Sequence, residues 1–299
     1  MPDHLDRPFD LGDEERALIV ERKATCPFIG SAVNEGRLRV LNDANDPLAS
    51  IEEVRMLGNT GEGSDLGDVL VLFAKGNHAF RRGDSGRLDV ELEGDLFSLD
   101  FPGSQGSHPG HSGILQGDPT ALGSGRLSKA DFERLTSRAQ GGLIKRSEVG
   151  HFIAENVLRD PNSKVSDAET LKLLGRDLKG LAKAVVVAFL GGFRGSDRDT
   201  EAAHRAFFEK LTRLAGEENL VGSAGEFGLL FAFLAHSPRT REVGGEPAVS
   251  VEDLRAMFVE KRLPDGWETW KKSWGDWVKS TNKLFLSAAA EYHRLKRAG

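Results

Sequence analysis

The sequence predicts a mainly α-helical single domain with a small β-hairpin element in its N-terminal half. Apolar residues recur at helical spacing over most of the chain after residue 128, whereas residues 58–125 are rich in glycine and show weak periodicity. No segment rich in proline and serine divides the 299 residues. We therefore expect one domain over 1–299, in which 1–20 form a flexible N-terminal segment.

The N-terminal half is expected to contain short helices and the β element. Between residues 27 and 57 we predict short helices, the last of which is capped by Ser50 and has acidic residues in its first turn. The apolar run at 69–74 favours a short strand. Alternating side chains over 87–101 favour a hairpin that turns at 94–95.

The C-terminal half is predicted to be helical throughout. Ser128 and the acidic residue three positions later are typical of a helix start. The predicted helices cover 128–139, 147–158, 167–190, 200–214, 226–235, 251–260 and 267–296. Tryptophans recur every three or four residues in the last of these and are expected to pack in the core: Trp267, Trp270, Trp274 and Trp277.

Composition argues against several classes of protein. The 46 acidic residues outnumber the 40 basic ones, and no cationic stripe is interleaved with aromatic residues, so we expect no nucleic-acid partner. The most apolar run, 184–190, is far shorter than the roughly 20 residues that span a membrane. The acidic, polar start of the chain is unlike a signal peptide. We expect a cytoplasmic protein without membrane partners.

The single cysteine, Cys26, directly precedes Pro27, a residue type favoured at the first position of a helix. A thiol at a helix N-terminus faces unpaired backbone N–H groups and the positive end of the helix dipole, which lower its pKa. From these surroundings alone Cys26 is a packing residue, an intermolecular bridge or a reactive centre. A thiolate at this place can act as a nucleophile or a metal ligand, and one cysteine excludes an internal disulfide.

Two other patterns carry candidate chemistry. His151 and Glu155 lie four residues apart and therefore on one helical face, which suits either acid–base catalysis or an ordinary surface pair. Gln116, Gly117 and Thr120 belong to a tight turn of small residues and oxygen donors. Such a turn can hold a hard cation such as Mg²⁺, or it can be a simple capped turn.

Four segments follow one another in a recognisable order: Cys26-Pro27, Gln116-Gly117-Asp118-Pro119-Thr120, Glu155 ahead of Asp160-Pro161, and residues 257–267. Together they resemble the haem-thiolate peroxidases of peroxidase family 2, the chloroperoxidases and unspecific peroxygenases. That family has Pro-Cys-Pro near its N-terminus, then Glu-Gly-Asp or Glu-His-Asp. A distal glutamate before Asn-Pro and a final Phe-Phe-x-x-Glu-Arg-x-Pro-x-Gly-Trp follow.

The resemblance implies a helical, intracellular enzyme that binds haem b and uses hydrogen peroxide to oxidise or oxygenate a small organic substrate. Glu155 would move protons on the distal side of the haem, with His151 as a candidate partner. Cys26 would be the proximal ligand of the haem iron, and the residues beside the cofactor would be Pro27, Phe28 and Ile29.

The chain departs from the family pattern at two places. The family's glutamate of Glu-Gly-Asp helps to bind Mg²⁺ or Mn²⁺ against a haem propionate, whereas the neutral Gln116 is a weaker ligand. Peroxygenases carry an arginine about two turns before the distal glutamate, where this chain has Glu148. Arg146 or His151 would then take that role. The candidate Mg²⁺ ligands remain Gln116, Gly117 and Thr120.

Two alternatives to the peroxide-dependent enzyme stay open. The first is a haem-binding sensor or other non-catalytic haem protein, which the changes at Gln116 and Glu148 favour. The second is a haem-free helical interaction protein that uses its acidic surface and tryptophan stripe, with Cys26 merely buried. The sequence predicts neither the substrate nor the oligomeric state.

Overall fold

The structure is a computed structural model that describes residues 12–22, 26–41, 47–71, 81–82, 88–89, 96–99, 128–160, 163, 165 and 219–299. Helices account for 62% of the described residues, and the other regular elements are short strands. The prediction of a mainly α fold with a small β element is therefore confirmed. The predicted helices at 167–190 and 200–214 lie outside the described residues.

The helices follow one another along the chain as α1 (Asp13–Arg22), α2 (Pro27–Asn34), α3 (Ile51–Gly58), α4 (Lys129–Thr136), α5 (Arg146–Arg159), α6 (Asn219–Leu234), α7 (Val251–Phe258) and α8 (Trp274–Ala298). Residues 67–71 are also helical. The strand predicted at 69–74 is wrong there, because Leu66, Val69 and Leu70 bury one face at helical spacing. None of the described helices has the length and apolarity needed to cross a membrane.

Serine side chains begin several of these helices. Each capping hydroxyl accepts a hydrogen bond from a backbone N–H group of the first turn, which would otherwise have no partner. The starts predicted at Ser50 and Ser128 are confirmed. The capping residues are Ser50 for α3, Ser128 for α4, Ser250 for α7 and Ser273 for α8.

The described strands form three small antiparallel sheets. β1 (Leu48–Ser50) pairs with β4 (Leu96–Ser98), β2 (Arg81–Arg82) pairs with β3 (Leu88–Asp89), and β7 (Glu246–Ser250) lies between β5 (Leu143–Lys145) and β6 (Arg241–Val243). The hairpin predicted over 87–101 is wrong in its pairing, because β3 and β4 each pair with an earlier strand. Alternation indicates a strand but not its partner.

The most apolar helix, α6, lies in the core and packs most extensively against α8, which also covers α5. Every residue of α6 except Glu226 is buried. Small residues let these helices approach closely. A Cβ atom on Gly228 would lie 2.1 Å from Oγ1 of Thr281 in α8, and one on Gly150 of α5 would lie 2.6 Å from Cβ of Ser287. Larger side chains at either glycine would push the helices apart.

The helix predicted over 267–296 is interrupted before α8 begins. A 3₁₀ turn at Trp267–Thr269 is followed by Trp270 in an extended conformation. The cause is not local: the buried Lys272 Nζ donates hydrogen bonds to the carbonyl groups of Thr60 at 2.7 Å, Trp267 at 2.8 Å and Trp270 at 2.9 Å. These carbonyls accept hydrogen bonds from the lysine, and the segment does not continue into α8 as one α-helix.

The prediction that the four tryptophans pack in the core is confirmed. Each is at most 6% exposed, and Trp277 also donates from Nε1 to the carbonyl of Gly225 at 3.1 Å. Only two of them belong to α8, and the other two belong to the segment before it. The buried tryptophans are Trp267, Trp270, Trp274 and Trp277.

Candidate functional site

Cys26 lies at the start of α2, as the sequence predicts. It is the N-cap residue, Pro27 is the first helical residue, and the Cys26 side chain is partly buried against the core. The sulfur makes no capping hydrogen bond of regular geometry, although the backbone N–H groups of Ile29 and Phe28 act on it. Burial raises the pKa of the thiol and outweighs these groups, so the expected lowering of the pKa is wrong.

A lysine that the sequence analysis missed acts on the Cys26 thiol. Lys261 follows α7 with a φ of 51°, and its carbonyl accepts a hydrogen bond of 2.9 Å from Asn34 Nδ2 at the end of α2. Burial lowers the pKa of the Lys261 amine, and the nearby Cys26 opposes that change. On the thiol, the charge of Lys261 lowers the pKa and that of Glu226 raises it.

The residues that follow Cys26 have side chains in the core. Phe28 meets Phe233 edge-on with ring centroids 4.8 Å apart, and Ile29 is 5% exposed. Ser31 Oγ donates to the carbonyl of Pro27 at 2.7 Å and lies 3.3 Å from the carbonyl of Met257, so α2 contacts the last turn of α7. Near the sulfur, Phe28 and Ile29 therefore contribute backbone N–H groups, while their side chains hold α2 in place.

Glu155, the candidate acid–base residue, is held by two arginines that the sequence analysis did not select. Arg138 Nη2 donates to both carboxylate oxygens of Glu155 at 2.6 Å, and Arg134 Nη1 lies 3.3 Å from Oε2. The Glu155 side chain is 30% exposed. Because the arginines come from α4 and the turn after it, no spacing within α5 could have indicated them.

His151 does not pair with Glu155 among the described contacts. Its Nδ1 lies 4.0 Å from Glu148 Oε2, and the same oxygen lies 3.6 Å from Arg138 Nη1. Glu148 and Glu155 thus both face Arg138. Arg138, and not His151, pairs with Glu155. The i, i+4 spacing within α5 does not predict this competing cation, which comes from outside the helix.

The two arginines belong to a larger network between α4 and α5. Arg134 Nη2 donates to Asp131 Oδ1 at 3.0 Å and to Oδ1 of the buried Asn156. Arg159 Nη2 donates to both oxygens of Asp131, at 3.0 and 3.1 Å. The guanidinium of Arg134 also covers the ring of Phe152, 4.7 Å from its centroid. These contacts fix the position of the Glu155 carboxylate.

Arg146, the other residue considered as a partner of Glu155, lies at the first position of α5 and is 8% exposed. Its Nη1 is buried without a hydrogen-bond partner.

The candidate Mg²⁺ ligands lie outside the described residues. Within the described ranges, no cluster of three or more His, Cys, Asp or Glu side chains is arranged to hold a metal ion. The predicted Mg²⁺ ligands that lie outside the described residues are Gln116, Gly117 and Thr120.

The described residues thus contain two chemically distinct groups. One is the Cys26 thiol with the Lys261 amine, and the other is the Glu155 carboxylate with its arginines. In the described part of the chain no hydrogen bond or ion pair joins them. The first group can supply a sulfur ligand with a nearby positive charge, and the second can accept and return a proton.

No family model, no curated protein and no solved structure matches this chain.

Proposed function

We propose that this chain is a haem-thiolate peroxidase or peroxygenase that binds haem b through Cys26. The proposal rests on the motif order described above, and one structural observation supports it. The single thiol of the chain is partly buried at the start of α2, where two backbone N–H groups and a lysine amine act on it. We also propose that residues 1–299 form one cytoplasmic domain.

The surroundings of Cys26 fit a thiolate that binds iron. Because burial raises its pKa, the free thiol stays protonated near neutral pH and is a poor nucleophile. Coordination to a metal removes that proton. The N–H groups of Ile29 and Phe28, with the charge of Lys261, would then stabilise the negative sulfur. Contacts of this kind around a ligating sulfur tune its donor strength.

A haem with a thiolate ligand supplies peroxide-dependent oxidation or oxygenation of small organic molecules. Glu155 would accept a proton from the peroxide oxygen at one carboxylate oxygen and return it to the leaving oxygen. General acid–base catalysis of this kind contributes about 10²–10⁴-fold to the rate. Arg138 donates to both oxygens of this carboxylate and would keep it in position.

The absorption spectrum of the ferrous, carbon monoxide-bound protein tests the iron ligand. Protein expressed with a haem precursor should give a Soret band shifted far to the red, because a thiolate donates strongly to the iron. Cys26→Ala should lose this shift while Ser31→Ala, a change in the same helix, should keep it. A colourless preparation or an unshifted band in the unaltered protein would overturn the proposal.

A haem protein without peroxide chemistry is a second candidate, favoured by one observation. Arg138 Nη2 donates to both oxygens of Glu155 at 2.6 Å, so the carboxylate is engaged in an ion pair that a purely structural residue would also make. Rapid mixing with hydrogen peroxide separates the two functions. An enzyme should show fast spectral changes that Glu155→Gln slows by at least about tenfold. A sensor should show no such change in either protein.

A further inference from the structure

Arg146 is a buried cation that forms no ion pair with any described carboxylate. It is the first residue of α5, directly after β5, and only 8% of its surface is exposed. Its Nη1 atom has no hydrogen-bond partner. Among the described residues, no carboxylate forms an ion pair with its guanidinium, although several other arginines of the same region are paired.

The acidic side chain that acts most on Arg146 is already engaged elsewhere. Burial lowers the pKa of Arg146, and the charge of Glu246 in β7 opposes that change. The Glu246 carboxylate, however, accepts hydrogen bonds from Ser147 N at 3.0 Å and from Ser147 Oγ at 2.6 Å. The Glu246 carboxylate is therefore engaged by the backbone and hydroxyl of Ser147, and it makes no ion pair with the guanidinium.

A guanidinium cannot escape this situation by losing its proton, because it stays charged at every pH at which proteins are folded. Buried charges in folded proteins are paired, or they have an ion or water beside them. Arg146 is also the first residue of α5, and the dipole at this end of the helix favours negative charge. The unpartnered guanidinium nitrogen and the helix dipole both favour an anion.

We propose that Arg146 and the first turn of α5 form a binding site for the carboxylate group of a small molecule. A planar guanidinium presents two parallel N–H donors that match a carboxylate. The charges also favour a monoanion. One negative charge neutralises Arg146, whereas a phosphate dianion would bring excess charge close to Glu246, whose charge already acts on Arg146. The site does not depend on haem binding.

Acetate titration of the full chain tests the site. At constant ionic strength set with sodium chloride, acetate should raise the unfolding midpoint by about 2–4 °C at a concentration near ten times its dissociation constant. Phosphate at equal ionic strength should raise it less. A larger shift with phosphate would overturn the choice of a carboxylate, and no shift beyond chloride would overturn the site.

Three variants identify the residue responsible. Arg146→Met should abolish the shift with acetate, and Lys145→Met, which removes the neighbouring positive charge, should keep it. Arg146→Lys retains a charge without the planar donors and should keep less than half of the shift. Line broadening of ¹³C-labelled acetate should follow the same order and does not depend on stability. Equal broadening with the unaltered protein and Arg146→Met would assign the binding to another residue.

Discussion

Lys272 and Arg146 are both buried cations, but their surroundings are opposite. Lys272 is 0% exposed, and its ammonium group uses all three of its donors on the carbonyls of Thr60, Trp267 and Trp270. Its Nζ also lies 5.0 Å from the centroid of the Trp267 ring. Arg146 is 8% exposed and has an unpartnered Nη1. A fully bonded cation indicates a structural role, whereas one with an unpartnered nitrogen is suited to bind an anion.

The position of each cation in the fold agrees with this difference. Lys272 joins the loop after α3 to the segment before α8, and a second set of bonds surrounds it: Asp65 N donates to the Lys272 carbonyl at 2.9 Å and Trp274 N donates to Asp65 Oδ1 at 2.6 Å. Arg146 lies at the junction of β5 and α5, and its guanidinium forms no ion pair with a carboxylate of the described residues. Replacing each cation should therefore have opposite effects on stability.

Lys272→Met should produce the largest effect. It leaves the carbonyls of Thr60, Trp267 and Trp270 without their donor in the interior, and it removes the link between two segments distant in sequence. We expect the free energy of unfolding, measured by urea denaturation, to fall by about 3–5 kcal/mol. Lys271→Met, at the exposed neighbouring residue, should change it little. Similar losses in both variants would contradict the structural role of Lys272.

The stability of the protein should rise between pH 8 and pH 10.5 through Lys272. Burial lowers its pKa from 10.5 to about 8, and Glu268 opposes that change. Between these values the unfolded chain binds more protons than the folded one, so raising the pH favours folding. We expect a contribution of about 3 kcal/mol, because each pKa unit corresponds to about 1.4 kcal/mol. Other groups titrate in this range, and Lys272→Met measured over the same pH series isolates the contribution. If stability rose equally with pH in the unaltered protein and in Lys272→Met, the predicted contribution of Lys272 would be contradicted.

The sequence predicts local features of this fold better than distant contacts. Ser50 and Ser128 are helix starts because the capping group and its N–H partner lie within one turn. The break before α8 depends on Thr60, far along the chain from Lys272, and no periodicity could show it. At the candidate site, too, the local feature is predicted from the sequence and the distant contact is not. The sequence correctly predicts Cys26 at a helix start. It does not indicate Lys261, which acts on the thiol but is distant from it in sequence.

Arg146→Met should stabilise the protein in chloride buffer without carboxylate ligands. Methionine fills a similar space and removes a charge that has no partner in the interior. We expect the free energy of unfolding in urea to rise by about 1–2 kcal/mol. Lys145→Met, at a half-buried neighbour, should have a smaller effect. A loss of stability comparable with that of Lys272→Met would mean that the Arg146 guanidinium is satisfied and would contradict the comparison.

Arg138→Gln should change the free energy of unfolding least among these three replacements of a cation. Arg138 is neither fully buried like Lys272 nor without an ion pair like Arg146. Its side chain is 19% exposed, and it bonds both oxygens of Glu155, whose side chain is 30% exposed. Partial exposure lets water replace the lost partner. We therefore expect the free energy of unfolding to fall by only about 1 kcal/mol. Arg37→Gln, in the more exposed pair with Glu268, should change it even less. If Arg138→Gln cost as much as Lys272→Met, burial would not be what separates structural cations from weakly held ones. The partly exposed network around Glu155 would then be too rigid for the proton exchange that we propose for this carboxylate.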